Sequence, residues 1–233
     1  NFHERYTYLL NLQARKEQVL RSIEEQGKLT EELKEAIEKA ETASAVEDLY
    51  LPYRPKKRTR ATIAREKGLE PLAEIIKMQK EADIEERAKE FIDEEKQVAS
   101  VSEALQGAMD ILAEDISDEA AYRGFIRTIT FKKGMLISKG KSPDEQTVYD
   151  MYYDYSEKVS TIPGHRILAI NRGEKEKVLS VKIEAPVDEI IMYLEKNIII
   201  KESKTKDILQ TVIEDSYKRL IAPAIERDIR NEL

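Results

Sequence analysis

The hydrophobic positions of the chain recur mostly at spacings of three and four residues, the period of an amphipathic helix. The first predicted helix covers residues 4–26, with Leu12 and Val19 on its apolar side and Gly27 as its stop. Thr30 is predicted to cap the next helix, since its hydroxyl can accept a bond from a free backbone N–H. Similar patterns continue to the end of the chain, so the predicted fold class is mainly α, with many helices in one or two lobes.

Strand patterns are confined to two short segments. Residues 135–137 are apolar and stand next to Gly134, and residues 178–183 alternate between apolar and polar side chains. The two segments would pair with each other, and two strands alone are marginally stable. The sequence therefore predicts at most a small two-stranded element.

Tyrosines crowd the stretch from Tyr149 to Tyr155. Helical spacing through this stretch predicts four core positions, which are Val148, Met151, Tyr152 and Tyr155. Tyr149 and Tyr153 would then lie on the opposite side, where they could face a partner.

Composition narrows the possible classes of protein. The chain has no cysteine, which excludes a disulfide framework, a thiolate metal site and a cysteine nucleophile. Its longest apolar runs are only a few residues long, and no signal-peptide pattern opens it. Charged residues make up 36% and the formal net charge is −7. We expect a cytoplasmic protein without a membrane partner.

One segment reverses this acidic balance. Residues 54–67 carry a net charge of +6, which leaves −13 for the rest of the chain. Pro52 and Pro55 keep the start of the segment out of a helix, and a helix predicted from Thr62 adds free N–H donors. This arrangement predicts sequence-independent contact with RNA or DNA. The predicted nucleic-acid-binding residues are Tyr53, Arg54, Lys56, Lys57, Arg58, Arg60, Arg65 and Lys67.

The same cations admit a second interpretation. They could dock against acidic helices of the same chain, which would make the protein a structural or protein-interaction module without direct nucleic-acid binding. The two alternatives differ in whether the side chains of residues 54–60 are exposed or buried against carboxylates.

Catalytic chemistry is the least favoured class. The acidic clusters at residues 114–119 and 144–154 are explained by helix first turns and exposed faces. His165 has no nucleophile or acid partner in a recognisable pattern, and no glycine-rich phosphate loop is present. We expect no enzyme activity, no cofactor, no metal site and no small-molecule substrate.

Residues 47–73, which include the whole basic segment, resemble the bacterial Tex family of transcription accessory proteins. Four further segments resemble this family in the same order, namely residues 22–33, 108–118, 154–172 and 218–233. The resemblance implies a transcription accessory role and a relationship to a eukaryotic transcription elongation factor. Besides nucleic acid, it implies RNA polymerase or other transcription factors as partners.

The resemblance also implies a domain organisation. Residues 1–138 would form the N-terminal helical region with the basic loop 54–67 and a helix-turn-helix-like part. Residues 139–233 would form a second helical lobe and the start of a long central helix. The RNase-H-like domain, the helix-hairpin-helix motifs and the OB-type RNA-binding domain of the family are expected downstream, outside this chain.

Overall fold

A computed structural model of the chain describes residues 1–55 and 57–233. It confirms a mainly α fold with one small antiparallel sheet. The contacts divide the chain into two units, residues 1–124 with 199–216 and residues 125–198 with 217–233. These bounds differ from the predicted regions 1–138 and 139–233, which stay a prediction of domain organisation.

The first unit is built from α-helices. They are α1 (Phe2–Glu25), α2 (Glu31–Lys39), α3 (Ala43–Tyr50), α4 (Arg60–Glu66), α5 (Glu70–Met78), α6 (Ile84–Lys89), α7 (Val101–Asp118), the start of α8 (Ala120–Lys133) and α11 (Lys206–Asp215). Thr30 caps α2 by accepting a hydrogen bond of 3.1 Å from the backbone N–H of Leu33. Gly27 follows the last turn of α1 and stops the helix with a φ of 70°, which glycine adopts without strain. Both cap predictions are confirmed.

Helix α7 lies at the centre of the first unit and contacts α4, α5, α6 and α11. Gly107 allows the close approach of its neighbours, because a Cβ there would lie 2.3 Å from Cδ1 of Leu69 and 3.3 Å from Cβ of Ala64. Helices α1, α2 and α3 form a separate apolar cluster around Val19, Ile37 and related side chains. The segment between α3 and α4 is therefore supported by packed helices at both ends.

The second unit contains the sheet, in the strand order β2-β1-β3. Its elements are the rest of α8, β1 (Met135–Gly140), β2 (Asp154–Lys158), α9 (Gly164–Lys175), β3 (Leu179–Glu184), α10 (Val187–Ile198) and α12 (Ala222–Glu232). The predicted pairing of the two apolar strands is confirmed, with Leu136 opposite Ile183.

The prediction of at most two strands is wrong, because a third strand, β2, pairs with the other edge of β1. The sequence of β2 shows no alternation of apolar and polar residues. The side chains of Tyr155 and Glu157 point inward, but they are only half-buried and their polar groups form hydrogen bonds. Arg166 of α9 donates to the Tyr155 hydroxyl at 3.1 Å and to the Glu157 carboxylate at 2.9 Å. Polar contacts from the following helix thus support a strand that a hydrophobic pattern does not show.

The helical interpretation of the tyrosine stretch is also wrong. A single 3₁₀ turn, Asp150–Tyr152, precedes β2, so the positions do not share one helical face. Val148 and Met151 are 87% and 67% exposed, whereas Tyr149 is buried. Of the predicted core positions, Tyr152 is buried as expected.

The C-terminal helical stretch changes its hydrogen-bond pattern next to Pro223. A π-helical turn, Ser216–Ile221, separates α11 from α12, and Pro223 lies in the first turn of α12. Proline has no backbone N–H to donate, and it lies where the helical hydrogen bonding changes from the π to the α pattern. In the described part of the chain, no helix combines the length and the apolar character that a membrane span needs.

Candidate nucleic-acid interface

The basic segment consists of a short loop that runs into a helix. A 3₁₀ turn, Leu51–Tyr53, leads into the loop, and α4 begins at Arg60. Within the predicted loop 54–67, helix α4 therefore covers residues 60–66. Lys56 lies outside the described residues.

Both ends of the loop form hydrogen bonds with side chains from other parts of the same unit. At its start, the side-chain amide of Gln26 donates to the carbonyl of Tyr53 at 2.8 Å. At its end, the hydroxyl of Thr59 donates to the carboxylate of Glu114 at 2.8 Å and accepts from the N–H of Thr62 at 3.1 Å. The loop thus presents its side chains from a fixed frame.

Most of the described cations in the loop are exposed. The side chains of Arg54 and Arg58 are 45% and 65% exposed, and Lys57 and Arg60 are exposed as residues. Among described residues, Lys57, Arg60 and the half-buried Lys67 form no ion pair within 4.0 Å. This exposure fits contact with an external polyanion better than burial against acidic helices.

Two of the exposed cations pair with carboxylates of the chain. Arg54 lies 2.5 Å from Glu47, and Arg58 lies 2.9 Å from Glu66. Exposed ion pairs of this kind contribute only about 0–1 kcal/mol. A phosphate can therefore compete for these guanidinium groups at small cost.

Arg65 differs from the other predicted site residues because acidic side chains surround it. Its guanidinium lies 2.9 Å from Asp115, 3.7 Å from Glu70 and 4.0 Å from Glu114. Its side chain is 34% exposed. These contacts connect α4 to α7. The positive charge of Arg65 is therefore paired with carboxylates of its own unit.

The tyrosines next to the loop anchor it to the α1–α3 cluster. Tyr53 is half-buried against this cluster. Tyr50 is 8% exposed, and its hydroxyl is 2.9 Å from that of Ser22. The guanidinium carbons of Arg15 and Arg54 lie 5.3 Å and 5.7 Å from the centre of the Tyr50 ring, within cation–π distance.

Arg15 and Glu47 also lie at this surface, although no sequence pattern pointed to them. Glu47 accepts hydrogen bonds from Arg15 at 2.6 Å and from Arg54 at 2.5 Å. Partial burial favours a higher pKa for Glu47, but the hydrogen bonds and charges of Arg15 and Arg54 outweigh it and hold the pKa below its ordinary value. Arg15 lies within a helical pattern far from the basic segment along the chain, so no local signal marked it.

The acidic residues near the loop do not form a metal centre in the described part of the chain. No group of three or more His, Cys, Asp or Glu side chains with a metal-binding arrangement occurs among the described residues. Glu114 and Asp115 instead lie beside Arg65 and line a shallow depression with Pro52 and Thr62.

Comparison with known proteins places the chain among transcription-related sequences. Residues 79–233 match the family model described as Tex central region-like. The chain is 51% identical over 99% of its length to the uncharacterised protein YdcI of Bacillus subtilis. It is 39% identical over 80% of its length to the transcriptional accessory protein Tex of Neisseria gonorrhoeae. It is 29% identical over 92% of its length to the human S1 RNA-binding domain-containing protein 1.

The matched relatives are much longer than this chain. The chain covers 33% of the Bacillus protein, 25% of the Neisseria protein and 23% of the human protein. It therefore spans a third or less of their length. The match to the family model begins after the basic segment.

Proposed function

The chain belongs to the Tex family, and on that premise we propose that it is a non-enzymatic part of a transcription accessory factor. In this role its helices form a scaffold, and its basic segment contacts the phosphates of RNA or DNA without reading base sequence. The protein acts in the cytoplasm, together with nucleic acid and the transcription machinery.

The observation that carries this proposal is the exposure of the loop cations in a fixed frame. Lys57 and Arg60 are exposed and have no ion pair among the described residues, within a segment of net charge +6. The bonds from Gln26 and Thr59 hold both ends of the loop. Cations presented in this way neutralise phosphates and release counterions, which is the main source of sequence-independent affinity.

The names of two relatives support the same role. One relative is called a transcriptional accessory protein, and another is called an S1 RNA-binding domain-containing protein. Phosphate contacts carry no sequence information. The proposal therefore assigns position and affinity, not base recognition, to the basic segment.

The test measures binding of labelled oligonucleotides to the full chain by fluorescence anisotropy at low and moderate salt. Both single-stranded RNA and duplex DNA serve as probes. The test variant reverses five cations to glutamate: Arg54, Lys56, Lys57, Arg58 and Arg60. The matched control reverses five exposed lysines elsewhere: Lys132, Lys175, Lys196, Lys201 and Lys206.

We expect wild-type binding to weaken steeply with salt, because each phosphate contact adds roughly 0.7–0.9 to the slope of log affinity against log salt concentration. The test variant should lose binding, and the control should retain most of it, since only the first set lies in the interface. Equal binding by the two variants, or no binding by the wild type at low salt, would refute the proposal.

A second candidate function is docking to the transcription machinery through the same surface. The pairs Arg54–Glu47 and Arg65–Asp115 favour it, because they show that carboxylates can occupy part of the basic segment. Binding of purified RNA polymerase, lost on charge reversal while no oligonucleotide binds, would support this alternative.

A further inference from the structure

One carboxylate joins two arginines that are distant in the sequence. Nε and Nη2 of Arg15, on α1, donate to the two carboxylate oxygens of Glu47 at 2.6 Å and 3.1 Å. Nη2 of Arg54, at the start of the basic loop, donates to Oε2 of Glu47 at 2.5 Å. Two guanidinium charges therefore share one carboxylate charge, and one positive charge remains in excess.

The three side chains are accessible from solvent. The side chains of Arg15, Arg54 and Glu47 are 31%, 45% and 35% exposed. Their accessibility means that an external anion can reach the cluster without unfolding the unit.

Both arginines keep donors for another acceptor. A guanidinium carries five N–H donors. Arg15 uses three of its N–H groups, on Glu47 and Gln18, and Arg54 uses one on Glu47, within the described residues. Carboxylates and phosphates both accept paired hydrogen bonds from a guanidinium group. The oxygens of a phosphate can therefore accept the same hydrogen bonds that the Glu47 carboxylate accepts.

We propose that Arg15 is a further phosphate-contacting residue of the interface and that Glu47 competes with the phosphate for Arg15 and Arg54. The interface then continues from the basic loop onto α1, and Glu47 limits its affinity. This inference rests on the proposed function, because it assumes that the basic loop binds nucleic acid.

Competition by Glu47 follows from its state near neutral pH. Its pKa lies below the ordinary value, so the carboxylate is ionised whenever nucleic acid approaches. An exposed ion pair is weak, so a nucleic-acid phosphate can displace it. The ion pair nonetheless weakens the binding of a phosphate to each arginine, because the Glu47 carboxylate must first be separated from the guanidinium group.

The experiment uses the full chain, a fluorescein-labelled polyuridylate oligonucleotide and a series of salt concentrations. The variants are Arg15→Gln, Arg15→Lys and Glu47→Gln. Arg230 and Glu174 provide matched controls, since they form a comparable ion pair of 2.6 Å in the other unit. The controls are Arg230→Gln and Glu174→Gln. Thermal melting confirms that each variant is folded.

For Arg15→Gln we expect the salt slope to fall by roughly 0.7, the value of one contact to a single strand. Arg15→Lys should restore most of that slope, because it keeps the charge. Glu47→Gln should tighten binding by about threefold to tenfold at low salt, because two arginines lose their competitor. A gain of affinity, unlike a loss, is not the expected result of damage to the fold. The two control variants should bind like the wild type.

Two results overturn the inference. The first is wild-type affinity and slope for Arg15→Gln and Glu47→Gln, combined with loss of binding on charge reversal of the loop. In that case the proposed function survives and the extension to α1 is wrong. The second is an equal gain of affinity for Glu47→Gln and Glu174→Gln. This result would show that the gain comes from the change in net charge and not from the loss of a competitor for Arg15 and Arg54. If the loop variant binds like the wild type, the proposed function itself fails.

Discussion

The hydroxyl of Thr59 donates a hydrogen bond of 2.8 Å to the carboxylate of Glu114. Thr59 is the last residue of the basic loop, and Glu114 belongs to α7, the central helix of its unit. The same hydroxyl oxygen accepts from the N–H of Thr62 and caps α4. One side chain thus sets both the end of the loop and the start of the helix that follows.

We predict that Thr59→Ala lowers the free energy of unfolding by about 1–2 kcal/mol, since it removes a helix cap and a donor to Glu114. Urea denaturation followed by circular dichroism measures the change. Thr30→Ala is the control, because it removes an exposed cap whose hydroxyl has no second partner among the residues that the structure describes. Equal losses for the two variants would contradict the double role of Thr59.

Two helical glycines give a matched test of packing around α7. Gly107→Ala places a Cβ 2.3 Å from Cδ1 of Leu69, so we expect it to lower the free energy of unfolding by about 1–3 kcal/mol. At Gly124 a Cβ would meet no described atom within 4 Å outside its own helix backbone and chain neighbours. Gly124→Ala should therefore raise the free energy of unfolding by about 0.5–1 kcal/mol, because alanine favours helix. Urea unfolding measures both, and changes of the same sign would contradict the packing at Gly107.

The basic segment should separate into stabilising and binding cations. Arg65→Gln removes contacts to Asp115 and its acidic neighbours, so we expect a loss of about 0.5–1 kcal/mol in unfolding free energy and little change in oligonucleotide affinity. Arg60→Gln should leave stability unchanged and reduce the salt slope of binding by roughly 0.7–0.9. Urea denaturation and anisotropy titrations test the two effects. The reverse assignment would show that Arg65, and not Arg60, meets the phosphate.

Glu47 should make stability depend on pH in the acid range. Its pKa in the folded chain lies below the ordinary value of 4.5, so its ion pairs stabilise the fold above that value and are lost as pH falls through the folded pKa. We expect the difference in unfolding free energy between wild type and Glu47→Gln to be constant near neutral pH and to shrink below 4.5.

Urea denaturation at a series of pH values measures this difference. Glu41→Gln serves as the control for the change in net charge, because Glu41 is exposed and forms no ion pair with described residues. A difference that persists unchanged at acid pH would show that Glu47 does not act through its ionised form.

Local sequence was sufficient for the end of α1 and the start of α2. Thr30 and Gly27 were predictable because capping by a hydroxyl and a positive φ depend on the residue itself and its near neighbours. The pairing of β1 with β3 was predictable as well, since both strands carry apolar patterns.

The third strand was not predictable in this way. Tyr155 and Glu157 lie in β2 because Arg166, on a later helix, satisfies their polar groups. A hydrophobic pattern indicates which apolar side chains are buried. It does not indicate a half-buried strand whose side chains are stabilised by hydrogen bonds. The tyrosine stretch misled for a different reason, since its helical spacing was a coincidence and the residues form a turn and part of a strand.

The sequence by itself determined that the chain is mainly helical and that a run of cations interrupts an acidic protein, because helix propensity, capping and net charge are local properties. Only the tertiary structure decided which cations remain available. Arg65 is engaged because α7 brings Asp115 beside it, and Arg15 joins the surface because α1 and α3 pack together around Tyr50. Ion pairing depends on distances of a few ångströms between residues that are far apart along the chain, and those distances are set by packing.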